Sequence, residues 1–172
     1  MLFRSLRDVC NRNNILWISD EVQTGVGRTG YWWGYQHFGV EPDIIAFGKG
    51  IASGFPLAGL VASSSHFDKI HKNGLGGTWN GNVISTEAAN ATLDIISELN
   101  LVGESHKKGK LIVNSLMDIG DTRITSIRQY GLMIGVELDM DTDTFKEFMS
   151  LAPQVGLLLL STGVGSTIRL LP

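Results

Sequence analysis

Apolar residues recur at helical spacing across residues 2–13, where Leu2, Phe3, Leu6, Val9 and Cys10 predict an amphipathic helix. Residues 15–18 form an apolar run of strand length, closed by Ser19, Asp20 and Glu21. Residues 22–30 read as a loop, and the aromatic-rich stretch 31–38 as a short helix before Gly39. Two further apolar runs, 44–47 and 57–62, are separated by Gly48, Lys49, Gly50, Gly54 and Pro56, the pattern of two buried strands bounded by glycine turns. A helix is expected over 65–72, then a glycine-rich loop over 74–82 with Thr78 and Trp79 at its middle. Residues 85–99 predict a helix with Ala88, Ala91, Ile95 and Leu99 on its inner face and Thr86, Glu87 and Asn90 outside it. Helices alternating with short apolar strands imply an α/β layer with a mainly parallel sheet.

The pattern changes after Asn100. Residues 101–119 predict a second long helix with His106, Lys107, Lys108 and Lys110 on its wet side. Strands are expected over 124–129, 132–138, 156–160 and 166–171, with a helix over 144–151 between them. That is α+β in style and sets a domain boundary between residues 1–100 and 101–172.

Composition narrows the classes. The chain is 43% hydrophobic and 18% charged, a globular balance. A net charge of -3 and the lack of a basic block give no footprint for nucleic acid or a membrane surface. With Cys10 as the only cysteine, neither a disulfide framework nor a thiolate metal site is expected. The longest apolar run, residues 155–160, is broken by Gly156 and too short to span a bilayer. No signal-type segment follows Met1, so the expected compartment is the reducing cytoplasm, with a mitochondrial location as the alternative. Glycine is abundant, 21 residues, and clusters in two regions, which implies tight turns or a ligand approached closely by backbone.

Two constellations could carry chemistry. Gly25, Gly27 and Gly30 satisfy the glycine fingerprint of dinucleotide-binding turns. That fingerprint needs its first glycine at the strand end and a helix opening on the third. Here residues 20–24 intervene, and their two carboxylates would repel a phosphate. Nor is Gly48-Lys49-Gly50 a P-loop, because no Ser or Thr follows the lysine. The second constellation is Asp20 with Lys49, each ending a strand. In a parallel sheet both would emerge at the carboxyl edge, where ligands bind. A buried carboxylate beside a desolvated, nucleophilic lysine is what pyridoxal phosphate chemistry needs. An ordinary Asp–Lys ion pair is an equal reading of the two residues alone.

The motifs reach further. The run Trp17-Ile18-Ser19-Asp20-Glu21-Val22-Gln23-Thr24-Gly25-Val26-Gly27-Arg28-Thr29-Gly30 is followed by Pro42-Asp43, Gly48-Lys49-Gly50 and Gly54-Phe55-Pro56-Leu57-Ala58-Gly59. Then come Gly76-Gly77-Thr78-Trp79-Asn80-Gly81-Asn82, Gly156-Leu157-Leu158-Leu159-Leu160-Ser161 and Ile168-Arg169-Leu170. Together these resemble the class III aminotransferases, of the ornithine and 4-aminobutyrate type, through nearly the whole chain. The resemblance implies part of the large domain of a fold-type I transferase that depends on pyridoxal 5'-phosphate, followed by part of a smaller α+β carboxyl-terminal domain. It also implies amino transfer from an amino acid or ω-amino acid, such as 4-aminobutyrate, to a 2-oxo acid.

Carried over by position, Lys49 would be the Schiff-base lysine and the acid–base group of the proton shift. Asp20 would hold the pyridinium nitrogen, Val22 would pack on the ring face, and Gln23 would bond the ring's phenolic oxygen. Thr78 would bind the cofactor phosphate of the neighbouring subunit, implying a homodimer, and Arg169 would clamp a substrate carboxylate. Val83 stands where the family usually has proline. The family's subunits are longer, and the phosphate-holding loop and the stacking aromatic lie outside these residues, so an incomplete chain is implied. Two alternatives accompany this reading: a non-catalytic remnant of such an enzyme, and an epimerase or decarboxylase of the same family.

Overall fold

The computed structural model describes residues 2–72, 74–78 and 80–172. The chain divides into two compact units, the first ending at Val102 and the second running over Gly103–Pro172.

The first unit opens with α1 (Leu2–Arg12), as the apolar spacing predicts. Phe3 of α1 stacks on Phe38 with ring centroids 4.0 Å apart, and Arg7 bonds Asp43 at 2.7 Å, so the helix is held by both packing and charge. The first strand is β1 (Ile18–Asp20), three residues later than the apolar run alone implies. Ile15 and Leu16 remain half-exposed, because strand pairing here follows backbone hydrogen bonding to the neighbouring strand and not side-chain burial.

That neighbour is β2 (Ile44–Phe47), parallel to β1, with Ile18 opposite Ile44 and Asp20 opposite Ala46. β3 (Gly59–Ala62) runs antiparallel to β2. Of the mainly parallel sheet expected, the described strands thus carry one parallel and one antiparallel pair. The link from β2 to β3 is a single 3-10 turn, Lys49–Ala52, and an extended return, too short for the crossover a parallel partner needs. The expected helix over 65–72 shortens to α2 (Ser64–Phe67), none of whose residues is buried.

α3 (Val83–Glu98) forms where predicted but rotated about its axis. It buries Ser85, Ala89, Thr92 and Ile96, while Ile95 and Leu99, expected inside, are 50% and 61% exposed. The polar burial is satisfied locally: the Thr92 hydroxyl lies 2.7 Å from the Ala88 carbonyl oxygen and 3.0 Å from the Ser53 hydroxyl. Below α3, Ile51, Ala52 and Ala89 form a small apolar cluster that pins the 3-10 turn after β2.

α4 (Leu101–Asp118) follows, with His106, Lys107, Lys108 and Lys110 exposed as expected. In the second unit β4 (Ile124–Tyr130), β5 (Met133–Leu138), β6 (Leu160–Ser161) and β7 (Thr167–Leu170) form an antiparallel sheet in the order β4-β5-β7-β6. β6 begins later than the leucine run implies, because the chain turns at Gly156 (φ 82°) out of the 3-10 segment Ala152–Val155. One sheet face presents Ile134, Val136 and Ile168 to Phe145 of α5 (Thr142–Leu151), making the core of this unit. α5 is started by Asp141, whose carboxylate accepts the N–H groups of Asp143 and Thr144. No helix among the described residues is long and apolar enough to cross a membrane.

Candidate active site

The carboxyl ends of β1 and β2 lie side by side, and they carry Asp20 and the approach to Lys49. The pairing continues one step beyond the strands, where the Glu21 N–H donates to the Ala46 carbonyl at 2.8 Å. Asp20 is exposed, and its Oδ1 accepts the Val22 N–H at 3.0 Å. Lys49 opens the 3-10 turn with φ 49°, a left-handed conformation that costs a lysine about 1–2 kcal/mol. Beneath it the turn is anchored by Ile51 and Ala52, which are 5% and 0% exposed, so a rigid base holds an exposed amine.

Among the described residues no ion pair joins Asp20 to Lys49, which removes the ordinary ion-pair reading of these two side chains. The expected burial is not found. Both side chains are exposed, because no described element covers the carboxyl edge of the two strands. Val22 is half-buried against the end of β2: a Cβ at Gly48 would lie 3.7 Å from the Val22 methyl groups and 3.6 Å from the Ala58 methyl. Gln23 is half-exposed on the same turn.

Thr78 is exposed in the glycine loop, where the Asn80 N–H closes a turn onto the Gly77 carbonyl at 3.0 Å. Trp79 of the same motif lies outside the described residues. Asn82 caps α3, accepting the Ser85 N–H at 3.1 Å, so Val83 is the first helical residue and stands where proline is favoured but not required. Arg169 belongs to the second unit. It sits in the middle of β7, opposite Gly135 of β5 and Leu160 of β6, and its Nε is buried with no partner among the described residues.

The glycine-rich turn 25–30 opens no helix. Its glycine amides are spent internally, Gly25 to Glu21, Gly27 to Trp32 and Gly30 to Gly27, so the three fingerprint glycines offer no free amide to a pyrophosphate. Gly25 is required by packing, since a Cβ there would lie 2.7 Å from the Trp33 ring.

Sequence reasoning missed Glu21. The carboxylate next to Asp20 is 2% exposed and accepts four hydrogen bonds, from Ser19, Thr24, Gly34 and Tyr35. Burial pushes the Tyr35 phenol above its ordinary range, with Glu41 and then Glu21 adding to the effect. The signal was present in the hydroxyl residues Ser19 and Thr24 on either side of the acid.

The family model described as aminotransferase class-III matches residues 1–172. The chain belongs to the class III aminotransferases. The 4-aminobutyrate aminotransferase of Mycobacterium leprae is 37% identical over 177 residues, covering 98% of this chain and 40% of the relative. The 5-aminovalerate aminotransferase of Pseudomonas putida is 38% identical over 179 residues, covering 99% of this chain and 42% of the relative. Among solved structures, a transaminase from the marine bacterium Virgibacillus superposes with a TM-score of 0.91 at 29% identity, over 99% of this chain and 43% of that one. The chain thus spans about two fifths of the length of the relatives it matches.

Class III aminotransferases depend on pyridoxal 5'-phosphate, and the residues at this edge suit it. Asp20 supplies a carboxylate with no cation paired to it among the described residues, Lys49 an exposed primary amine, and Val22 an apolar surface at the strand end.

Proposed function

We propose that the protein is an aminotransferase that moves an amino group from an amino acid or ω-amino acid, of the 4-aminobutyrate kind, to a 2-oxo acid. The observation that carries this reading is the placement of Asp20 and Lys49 at the ends of adjacent parallel strands with no ion pair between them.

The roles follow from the chemistry of each side chain. When bound, pyridoxal phosphate supplies the electron sink for breaking a bond at the amino-bearing carbon. Lys49 would hold the cofactor covalently through its amine and afterwards move a proton at the substrate's amino-bearing carbon. Its anchored backbone and exposed side chain suit both tasks. Asp20 would keep the pyridine nitrogen protonated, a task for an anion and not for a neutral amide. Val22 would support one ring face, and the Gln23 amide would donate to the ring's phenolic oxygen.

Thr78 would reach the cofactor phosphate of a second subunit in a homodimer. Its exposure in a turn suits a contact made between subunits. Arg169 would bind a substrate carboxylate through two parallel N–H donors, a task suited to the planar guanidinium. We place the protein in the cytoplasm.

The test uses the full-length protein with added pyridoxal phosphate, its absorption read before and after borohydride reduction, and Lys49→Ala as control. A visible band that reduction fixes onto Lys49, together with amino transfer from 4-aminobutyrate to 2-oxoglutarate or another 2-oxo acid, is expected. A loaded protein that transfers no amino group to any 2-oxo acid overturns the reading.

A further inference from the structure

Glu21 is a buried anion with no cation beside it among the described residues. Such a charge persists only where donors replace water. Its Oε1 accepts the Ser19 hydroxyl at 3.0 Å and the Tyr35 N–H at 2.9 Å. Its Oε2 accepts the Gly34 N–H at 2.7 Å and the Thr24 hydroxyl. The two amides open the 3-10 segment Gly34–Phe38, so they have no partner within that turn. The fit is closed, since a Cβ at Gly34 would lie 3.0 Å from Oε2 and 2.9 Å from the Thr24 Cβ.

The backbone of Glu21 is tied as firmly. Its N–H donates to Ala46 at 2.8 Å, and its carbonyl accepts the Gly25 N–H at 2.9 Å. One residue thereby joins three pieces of chain: the end of β2 that leads to Lys49, the turn 19–25, and the aromatic segment 33–35. Ser19 and Thr24, bound to the same carboxylate, bracket Asp20, Val22 and Gln23. Within this bracket Asp20 has Oδ1 tied to the Val22 N–H, and Oδ2 has no partner among the described residues.

We infer that Glu21 is a positioning residue: its buried carboxylate fixes the Ser19–Thr24 turn so that Asp20 presents one free oxygen beside the strand that leads to Lys49. This rests on the reading of Asp20 as the carboxylate that faces the cofactor. A glutamine has nearly the same shape, but it turns an NH2 toward a donor and loses the charge. Thr24→Val removes one donor while keeping the volume.

The experiment compares full-length wild type, Glu21→Gln, Thr24→Val, Ser19→Ala and Asp20→Asn. It measures pyridoxal phosphate affinity, the pH midpoint of the bound cofactor's visible absorbance, and amide exchange of residues 22–24 in the cofactor-free protein. Glu21→Gln is expected to weaken cofactor binding about tenfold, the scale of one lost charged hydrogen bond. It should also move the pH midpoint in the same direction as Asp20→Asn and speed exchange at 22–24. Thr24→Val should do the same to a smaller degree.

Wild-type affinity and midpoint in Glu21→Gln, with both shifted in Asp20→Asn, would mean that Glu21 only fills space, and the inference falls. If Asp20→Asn shifts neither, the reading of Asp20 falls. Exchange then decides the turn: faster exchange at 22–24 in Glu21→Gln sustains its role in fixing that turn, and unchanged exchange overturns it. Should Glu21→Gln not fold, Thr24→Val and Ser19→Ala carry the test, and wild-type behaviour in both overturns the inference.

Discussion

The Glu21 N–H and the Ala46 carbonyl oxygen, 2.8 Å apart, form the last bond joining the first two strands, and Lys49 leaves the sheet three positions beyond Ala46. With that bond fixed, the chain turns at once through the left-handed conformation of Lys49, φ 49°. The amine is thus held on a residue whose backbone is strained. Lys49→Gly and Lys49→Ala should both abolish trapping by borohydride, but they should differ in stability. Glycine meets no steric penalty at this φ, so Lys49→Gly should exceed Lys49→Ala by about 1 kcal/mol in urea unfolding of the cofactor-free protein. Equal midpoints would show that the turn relaxes in solution.

Much of this was legible from pattern and chemistry, and the failures have physical causes. Asp20 and Lys49 were readable because each ends an apolar run, and strand ends of a parallel pair share an edge. The inward face of α3 was misread because periodicity counts alanine and isoleucine as buried and threonine as exposed. Thr92 is buried nonetheless, since its hydroxyl finds Ala88 and Ser53, the latter 39 residues away in sequence. Glu21 was missed for a related reason: Ser19 and Thr24 flank it in sequence, but its other two donors, Gly34 and Tyr35, come from a segment that no local pattern ties to it. A buried polar group becomes visible only once its partners are.

The start of α3 offers a test of the one motif position where Val83 replaces the usual proline. Asn82 accepts the Ser85 N–H, and Val83 is 81% exposed at the first helical position, where a missing N–H costs nothing. Val83→Pro should therefore be neutral or raise stability by up to about 1 kcal/mol through the unfolded chain. Asn82→Ala should lower it by about 1 kcal/mol. Thermal midpoints of the two variants should move apart, and a large loss in Val83→Pro would mean that the helix starts elsewhere.

Asp43 should set part of the acid limit of stability. Its carboxylate accepts the Trp17 N–H at 2.8 Å and the Arg7 guanidinium at 2.7 Å. The Trp17 bond, and then the Arg7 bond and charge, hold its pKa below the usual carboxylate value. A group depressed in the folded state binds fewer protons there than in the unfolded state. It therefore stabilises the fold above the ordinary carboxylate range, and that contribution is lost as pH falls through the folded value. Asp43→Asn should be less stable than wild type at neutral pH by about 1–3 kcal/mol, with the Arg7 guanidinium left without its anion. The two proteins should converge in acid, below the ordinary carboxylate range. Urea midpoints that stay equally far apart at every pH would show that Asp43 contributes through shape alone.

Gly109, in the middle of α4, inverts an ordinary rule. Replacing an interior helical glycine by alanine normally gains about 1 kcal/mol. Here a Cβ would stand 1.9 Å from the Gly131 carbonyl oxygen and 2.5 Å from the Gln129 side-chain nitrogen. The first of these is backbone in the turn between β4 and β5, which cannot swing aside as a side chain can. The Gln129 amide also bonds the Gly131 carbonyl at 2.8 Å, so the same displacement would break that bond. Overpacking of this kind costs about 1–3 kcal/mol, more than the helix propensity returns. Gly109→Ala should lower the thermal midpoint clearly, while Lys110→Ala on the exposed side should change it little. A Gly109→Ala protein as stable as wild type would mean that α4 does not press on this turn in solution.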